Sequence, residues 1–323
     1  MAVNTNRRQV FYDPKGRRKK GLRLTWIILG VTATALVTIF VSRVITLPAM
    51  PQLNLKAVES SSPDTEVKSQ SRKPLSNNAA WQKMALQTRA SKPLALGFYV
   101  NWDNSSYLSL QRNLAELDVL VPQWVRLQES DEPVVSEIDE KALDLVRSQK
   151  PNIPIIPLIH NSNEGKWNVP ALVHALENEA SRQKVISAIA RLIADNNWNG
   201  ICVDFELVPT DAQRNLLLFM RELHALFRQR GLMVMEAVPF DDPDWNYRAH
   251  AEANDYLLLM AYDEHWAESK PGSVCSQPWF QNMLKRRMSE LAPEKTIICI
   301  GGYGYEWHGE GKKTTVITFR EAM

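Results

Sequence analysis

The segment NGICVDFELV, residues 199–208, decides the fold of this chain. An apolar run leads directly into two acids, Asp204 and Glu206, which predicts a buried strand that ends in charged side chains. Six further runs have the same apolar texture: LALGFYV (94–100), DVLVPQWV (118–125), IPIIPLI (153–159), LMVMEAV (232–238), YLLLMAY (256–262) and TIICIGGY (296–303). Continuous apolar strands of this kind are typical of a parallel sheet that is covered on its faces.

Amphipathic stretches between these runs predict helices. In the stretch 181–196, apolar residues recur every fourth position, and Ser181 is the expected N-cap. The stretch 210–231 opens with a capping box of Thr210 and Gln213 and closes on a glycine. Seven strand–helix units can be counted. The sequence therefore predicts an α/β fold, and a (β/α)8 TIM barrel more than an open sheet.

Two classes of bound group are not expected. The first strand continues as GFYVNWDNSS, which matches neither GxGxxG nor a P-loop, so no nucleotide cofactor is predicted. The three cysteines, Cys202, Cys275 and Cys299, have no CxxC spacing. They therefore predict neither a disulfide framework nor a zinc site, and the sequence implies no cofactor and no metal.

Aromatic and polar residues cluster where the predicted strands end, at the rim on which barrels carry their chemistry. The candidate substrate-binding residues at these ends are Tyr99, Trp102, Trp124, Asn161, Asp263, Trp266, Tyr303 and Trp307. Four of the ten tryptophans of the chain are among them. Indole rings stack on the apolar faces of sugars, while carboxylates and amides bond sugar hydroxyls. A single tryptophan would favour a structural cap, but four beside acids favour a sugar-binding cleft.

The acids at the end of the segment 199–208 are the candidate catalytic groups. Cys202, Asp204 and Glu206 are spaced by two, so on a strand they share one face. Inside a barrel, burial and mutual repulsion raise the pKa of at least one carboxyl. A raised pKa is what a general acid needs near neutral pH. A pair of structural acids bonded to neighbouring amides is the alternative that these residues leave open.

Three segments resemble one known family. Residues 199–206 are similar to the fourth-strand signature of glycoside hydrolase family 18, the chitinase-like family, usually written DGxDxDxE. MAYDEHW (260–266) is similar to the family's Met-x-Tyr-Asp segment, and GGYGYEW (301–307) resembles its seventh strand. The resemblance runs from about Leu94 to the C-terminus and is specific at these three places.

The resemblance implies a reaction and a role for three residues. Family members retain anomeric configuration without a protein nucleophile, because the 2-acetamido oxygen of the substrate attacks the anomeric carbon. By this resemblance Glu206 would protonate the glycosidic oxygen, Asp204 would hold and polarise the acetamido group, and Tyr262 would donate a hydrogen bond to it. A carboxylate such as Asp204 would also stabilise the positive oxazolinium ion. An ordinary core tyrosine is the alternative for Tyr262.

The chain departs from the family pattern in two ways. Asn199 replaces the first acid of the signature and Cys202 the middle one. A neutral buried thiol packs as a small hydrophobe and relays no proton. In this respect the chain resembles cell-wall-directed branches of the family that also lack the middle acid, which counts against a chitinase more than against a hydrolase. The chain also stops without the family's eighth strand and its tryptophan, so we expect a barrel that is incomplete at its C-terminus. Alternatively, the linker around Trp81 or TTVITF (314–319) supplies that strand.

The N-terminal region predicts a membrane anchor. Residues 24–42 carry no charge, and 19 residues span most of a hydrocarbon core of about 30 Å. Eight bases and one acid precede them. We therefore expect a cytoplasmic arm (1–23), a transmembrane signal-anchor helix (24–46), a polar linker (47–93) and a barrel (94–323) that is periplasmic or extracellular. A cleaved signal peptide and a buried core helix are the alternatives.

The charge balance excludes one class of partner. Residues 24–323 contain 30 bases and 35 acids, so no nucleic-acid partner is expected. The sequence as a whole predicts a membrane-anchored glycosidase whose partner is a β-linked N-acetylglucosamine polymer. One alternative is a non-catalytic glycan-binding barrel at the front of a larger membrane glycan-processing polypeptide. Another is a structural tether that docks a partner protein.

Overall fold

A computed structural model describes residues 93–309 and 314–323. The predicted cytoplasmic arm, transmembrane helix and nearly all of the linker, residues 1–92, lie outside the described residues. Among the helices that are described, none combines the length and the apolar character needed to cross a membrane.

Every predicted apolar run forms a strand. The strands are β1 (Leu96–Tyr99), β2 (Val119–Pro122), β3 (Val125–Leu127), β4 (Val134–Ser136), β5 (Leu158–His160), β6 (Ser162–Asn163), β7 (Lys166–Trp167), β8 (Gly200–Asp204), β9 (Met233–Pro239), β10 (Tyr256–Met260), β11 (Thr296–Cys299), β12 (Tyr303–Glu306) and β13 (Thr315–Thr318). The parallel strands pair in chain order: β1 with β2, then β3, β5, β8, β9, β10 and β11 side by side. A bridge between Leu120 and Ile155 connects the two groups. The predicted parallel α/β arrangement is confirmed.

Helices alternate with the parallel strands. They are α1 (Asn104–Asn113), α2 (Glu140–Gln149), α3 (Val169–Leu176), α4 (Glu179–Asp195), α5 (Gln213–Gln229), α6 (Tyr247–Glu252), α7 (Gln277–Met288) and α8 (Phe319–Ala322). Asn178, and not Ser181, caps α4, because its side chain accepts from the Ser181 backbone N–H. The capping box predicted for α5 is also wrong. Thr210 lies in a short 3₁₀ turn and donates to Asp244.

The parallel strands between β1 and β11 bury both of their faces, whereas β1 and β11 themselves are only partly buried. Alternate residues of β2 show this, since Val119 and Val121 lie in one apolar cluster and Leu120 in the other. The first cluster holds Cys202 of β8, and we call it the inner cluster. The second contains the apolar sides of α4 and α5, and we call it the helix-facing cluster. Because one face of these strands packs in the inner cluster and the other packs against the helices, successive residues along each strand are apolar.

The eight parallel strands come from the seven predicted runs, because β2 and β3 both lie at the run 118–125, and no parallel strand follows β11 within residues 93–309 and 314–323. There β1 pairs with β2, and β11 pairs with β10. The segment TTVITF contains β13, which pairs antiparallel with β12, so the alternative in which it supplies the missing parallel strand is wrong. The closed (β/α)8 barrel remains a prediction.

Candidate active site

Strand β8 places the acid pair. Gly200 begins this strand where a Cβ atom would lie 2.1 Å from the carbonyl oxygen of Met233, so only glycine lets β8 approach β9 so closely. Alternation then directs Cys202 into the inner cluster and Asp204 to the same face. Glu206 follows two residues later, just beyond the strand. Asp204 and Glu206 thus lie together at the end of one strand.

Both acids are shifted toward their protonated forms. Burial, followed by the charge of Glu206, raises the pKa of Asp204 well above its usual range. Burial, followed by the charge of Asp263, raises the pKa of Glu206 to about 7. Glu206 therefore keeps a proton to give near neutral pH. Asp204 Oδ1 is buried and has no hydrogen-bond partner among the described residues, which disfavours a structural acid bonded to amides.

Asn161 holds the backbone of Glu206. Its amide nitrogen donates to the Glu206 carbonyl oxygen at 3.1 Å, and its amide oxygen accepts from the Glu206 N–H at 2.9 Å. The side chain is fully buried. Asn161 was predicted to bind substrate, and this prediction is wrong for the protein as described, since both polar ends of the amide are engaged and no surface is exposed.

Tyr262 and Asp263 follow β10 on the other side of the acids. Burial, then the charge of Asp204, raises the pKa of the Tyr262 hydroxyl, so the phenol stays neutral and able to donate. Asp263 has a left-handed backbone, with φ of 62°. Its Oδ1 accepts hydrogen bonds from the hydroxyls of Tyr303 at 2.7 Å and Tyr305 at 3.0 Å.

Two cavities meet at this group. A cavity of about 980 Å³ is lined by parts of β1, β11 and β13 and by Trp102, Asp204 and Tyr262. A second, of about 310 Å³, is lined by Glu206, Asp263 and Trp266. Met260 and Tyr262 line both cavities. Asp204 therefore lines the larger cavity and Glu206 the smaller one, and the two cavities adjoin at Met260 and Tyr262.

The predicted rim aromatics divide into two sets. Trp102 is 76% exposed and Trp266 is 50% exposed, and each lines one of the cavities. Trp307 packs its ring against that of Tyr305, with centroids 5.6 Å apart. Trp102 and Trp266 are therefore placed where a sugar ring could stack, whereas Trp307, which was also predicted to bind substrate, lines neither cavity.

Tyr99 and Trp124 do not fit their prediction as substrate-binding residues. Both belong to the helix-facing cluster, with exposures of 2% and 0%. The Tyr99 hydroxyl donates to Asp139, whose carboxylate also caps α2. Their rings pack edge to face, with centroids 6.1 Å apart. Tyr99 ends β1 and Trp124 lies between β2 and β3, and both pack with the helices, although Tyr99 is also among the residues that line the larger cavity.

Tyr305 is a site residue that the sequence prediction missed. Tyr303, Tyr305 and Trp307 are spaced by two, and the rings of successive members pack against one another. This period-two spacing was the signal that could have identified Tyr305. Cys202 is buried and free, and burial raises the pKa of its thiol, which agrees with a packing role. The described part of the chain contains no cluster of three or more histidine, cysteine or acidic side chains arranged to hold a metal.

Solved structures with this fold include a chitinase from Chromobacterium violaceum ATCC 12472. It is 22% identical, with a TM-score of 0.63, and the match covers 72% of this chain and 75% of that one. The Bacillus cereus spore cortex-lytic enzyme SleL is 16% identical, with a TM-score of 0.62, and the match covers 71% of this chain and 56% of that one. These likenesses show a chitinase-like α/β fold.

Curated relatives come from Bacillus subtilis strain 168. The uncharacterized glycosylase YvbX is 22% identical over 230 residues, which are 68% of this chain and 66% of YvbX. The cortical fragment-lytic enzyme is 23% identical over 141 residues, which are 41% of this chain and 33% of that enzyme. The chain thus spans less than two thirds of the length of either relative. The family model of the glycosyl hydrolases family 18 matches residues 95–322. This chain therefore belongs to glycosyl hydrolases family 18.

Proposed function

We propose that the protein hydrolyses β-linked N-acetylglucosamine polymers with retention of anomeric configuration, by attack of the substrate's own acetamido group. The observation that carries this proposal is the pair of partly buried acids that line two adjoining cavities, in which the pKa of Glu206 is raised to about 7. A chitinase among the similar structures and a cortical fragment-lytic enzyme among the relatives support a substrate of the chitin or peptidoglycan type.

Each acid has a distinct role in the proposed reaction. Glu206 gives its proton to the glycosidic oxygen as the bond to the leaving sugar breaks. The acetamido oxygen forms the new bond to the anomeric carbon, and an oxazolinium ion results. Glu206, now a carboxylate, then takes a proton from the water that opens this ion. The two steps together restore Glu206 and leave a hydrolysed, retained product.

Asp204 and Tyr262 are proposed to grip the acetamido group. The buried Asp204 Oδ1 has no partner among the described residues, so it is available to accept from the acetamido N–H. The positive charge that develops on the acetamido group favours the ionised form of Asp204, and that carboxylate lowers the energy of the oxazolinium cation. The neutral Tyr262 hydroxyl would donate to the acetamido oxygen until that oxygen attacks.

The full chain in detergent, supplied with N-acetylglucosamine oligomers, tests the reaction through the mass of the products. We expect Glu206→Gln to lower kcat by about 10²- to 10⁴-fold, because glutamine keeps the shape but has no proton to give. Asp204→Asn should also be severe. If both variants match the parent, the site assignment is wrong. If the parent binds oligomers without cleaving them, a glycan-binding module is the better description.

We also propose that a helix in residues 24–46 anchors the chain and that the hydrolase lies outside the cytoplasm. The support is the uncharged stretch 24–42 behind eight bases. A reporter that is active only in the cytoplasm, fused near Lys92, should be silent. The same reporter fused before Leu24 is the control and should be active. Strong activity near Lys92 would contradict this topology.

A further inference from the structure

We propose that Tyr247 and Arg287 are positioning residues that hold the segment 239–242 in place as a wall for the leaving sugar. The proposal deepens the proposed function and rests on it for its kinetic test. Neither residue lines the larger or the smaller cavity, so an effect on the reaction must pass through the segment that they hold.

The segment 239–242 begins at the end of β9 and borders the space beside the proposed acid. Pro239, Phe240 and Asp241 line the smaller cavity, which Glu206 also lines. Asp204, the proposed partner of the acetamido group, lines the larger cavity instead. Because the general acid must reach the oxygen of the leaving group, the leaving sugar belongs on the side of the smaller cavity.

One hydroxyl group joins both ends of this segment. The Tyr247 hydroxyl donates to the carbonyl oxygen of Pro239 and accepts from the backbone N–H of Asp242, both at 2.9 Å. Tyr247 is buried, and burial raises the pKa of its hydroxyl, so the phenol stays neutral and able to donate. A single phenol oxygen thereby fixes two backbone groups that are three residues apart.

The tyrosine ring is in turn held by a buried arginine. The guanidinium of Arg287, from α7, stacks on the Tyr247 ring, with its central carbon 3.6 Å from the ring centroid. Arg287 is 1% exposed and pairs with Glu290 at 3.1 Å. A buried cation is costly unless it has partners, and a desolvated cation over a ring is strongly attracted to it. The ring of Tyr247 therefore has a fixed place relative to α7.

Helix α7 contacts the segment at two further points. Trp279, which also lines the smaller cavity, packs edge to face on Phe240, with centroids 5.3 Å apart. Arg286 pairs with Asp241 at 3.2 Å, but both side chains are exposed, and an exposed ion pair contributes little. The contacts of Phe240 place a side chain, whereas those of Tyr247 place the backbone of the segment.

The kinetic test compares two substrates of the full chain. One is an N-acetylglucosamine oligomer, whose leaving group is a sugar that the wall can orient. The other is the 4-nitrophenyl glycoside of the N-acetylglucosamine disaccharide, from which the release of nitrophenol is followed. A nitrophenyl group leaves with little help from a general acid and has no hydroxyl groups to be oriented.

We expect Tyr247→Phe to affect the two substrates differently. This change keeps the ring under Arg287 and removes both hydrogen bonds. It should lower kcat/KM for the oligomer by about fivefold to fiftyfold, since a misplacement of about 1 Å can cost a hundredfold. Nitrophenol release should change less than about twofold. Tyr107→Phe is the matched control, because the Tyr107 ring lies 3.9 Å from Lys141 Nζ and lines neither cavity, and it should keep both activities.

Arg287→Met tests the second half of the proposal. Methionine is apolar and of similar length, so it leaves no buried charge behind. The oligomer should again lose more activity than the nitrophenyl glycoside. The double variant of Tyr247→Phe and Arg287→Met should lose little more than the more impaired single variant, because both changes act on the same segment. Fully additive losses would show that Arg287 does not act through Tyr247.

A further measurement needs no activity. Amide hydrogen exchange in the segment 240–242 should be at least about tenfold faster in Tyr247→Phe than in the parent, because the N–H of Asp242 has lost its acceptor. Exchange in β8 should match the parent, which would show that the rest of the sheet is intact.

The outcomes separate this proposal from the proposed function. Equal losses on both substrates, no loss on either, or parent-like exchange in the segment 240–242 would overturn the positioning role. A parent that hydrolyses neither substrate would reject the proposed function. The exchange measurement would then decide by itself whether Tyr247 holds the segment.

Discussion

Two parts of the strand-end rim carry the same kinds of residue and use them differently. At the ends of β1 and β2, Tyr99 gives its hydroxyl to Asp139, which caps a helix. At the start of β12, the Tyr303 hydroxyl donates to Asp263, which lines the same cavity as the proposed acid Glu206. The role of a tyrosine that is hydrogen-bonded to an aspartate therefore cannot be assigned until it is known on which face of the sheet the tyrosine lies.

The tryptophans make the same contrast. Trp124 is fully buried and lies against the rings of Tyr99 and Trp198, at 6.1 and 6.2 Å. Trp266 is half exposed at the cavity that Glu206 lines. This difference shows that a tryptophan at the end of a strand does not have a binding role by virtue of that position alone. The side chain must also leave the helix-facing side.

The largest expected effect is on the buried tryptophan. Trp124→Ala should lower the free energy of unfolding by about 3–5 kcal/mol, because it empties a large volume in the core. Trp266→Ala is the matched change and should cost about 0.5 kcal/mol or less, since half of that side chain is exposed. Urea unfolding followed by circular dichroism measures both. Equal losses of unfolding free energy in the two variants would contradict the different roles of Trp124 and Trp266.

Asn161 combines features of the buried residues and of the site residues. Its side chain is buried like that of Trp124, but it is hydrogen-bonded to Glu206. Asn161→Ala should lower kcat by about tenfold to a hundredfold through misplacement of the acid, and KM should change little. The loss in unfolding free energy should be about 2 kcal/mol. Asn163→Ala, at an exposed position in the same segment, is the control. A rise in KM with unchanged kcat would restore Asn161 as a substrate ligand.

The raised pKa of Glu206 also affects stability. The folded protein keeps this proton up to about pH 7, whereas the unfolded chain loses it near 4.5, so stability falls as pH rises between these values. Glu206→Gln should remove that fall and raise the free energy of unfolding by about 2 kcal/mol at pH 8. Near pH 4 the variant and parent should agree. The variant with the exposed Glu179→Gln change is the control, and it should keep the parent's fall because Glu206 is still present. A parent-like pH dependence in Glu206→Gln would contradict the assignment.

The smallest effect is expected for sugar stacking. Trp266→Ala should weaken oligosaccharide binding by about two- to tenfold, the range for a pair of stacked rings. Calorimetry in the Glu206→Gln background measures binding without turnover. Trp167 is also partly exposed but lines neither cavity, so Trp167→Ala should leave the affinity unchanged. Equal losses in both variants would show that exposure alone does not identify a binding tryptophan.

The sequence predicted the strands and the acid pair because both are local signals. Cys202, Asp204 and Glu206 are spaced by two residues. Charged residues that follow an apolar run are expected at the end of the strand, where polar groups can be accommodated. The direction of Tyr99 was not predictable in this way. Val119, Leu120 and Val121 are all apolar and all buried, yet they divide between the two clusters. When a strand is apolar on both faces, its sequence does not indicate which residues lie on the inner face and which lie on the helix-facing one.

Contacts between distant residues were also beyond the sequence. Asn161 and Glu206 are 45 positions apart, and Tyr303 and Asp263 are 40 apart. Their pairing depends on how neighbouring strands and loops meet in space. The predicted N-cap of α4 failed for a simpler reason, since Asn178 caps as well as serine and lies three residues earlier.

Met260, in the wall common to both cavities, has a consequence for how the protein ages. Oxidants convert a thioether into a sulfoxide, which is polar and chiral where the parent side chain was flexible and apolar. One such event would change the lining on both sides of the acids at once. Thiol reductants that protect cysteines would not reverse it, because repair of methionine sulfoxide requires dedicated reductases. Loss of activity on storage should therefore track the oxidation of this residue.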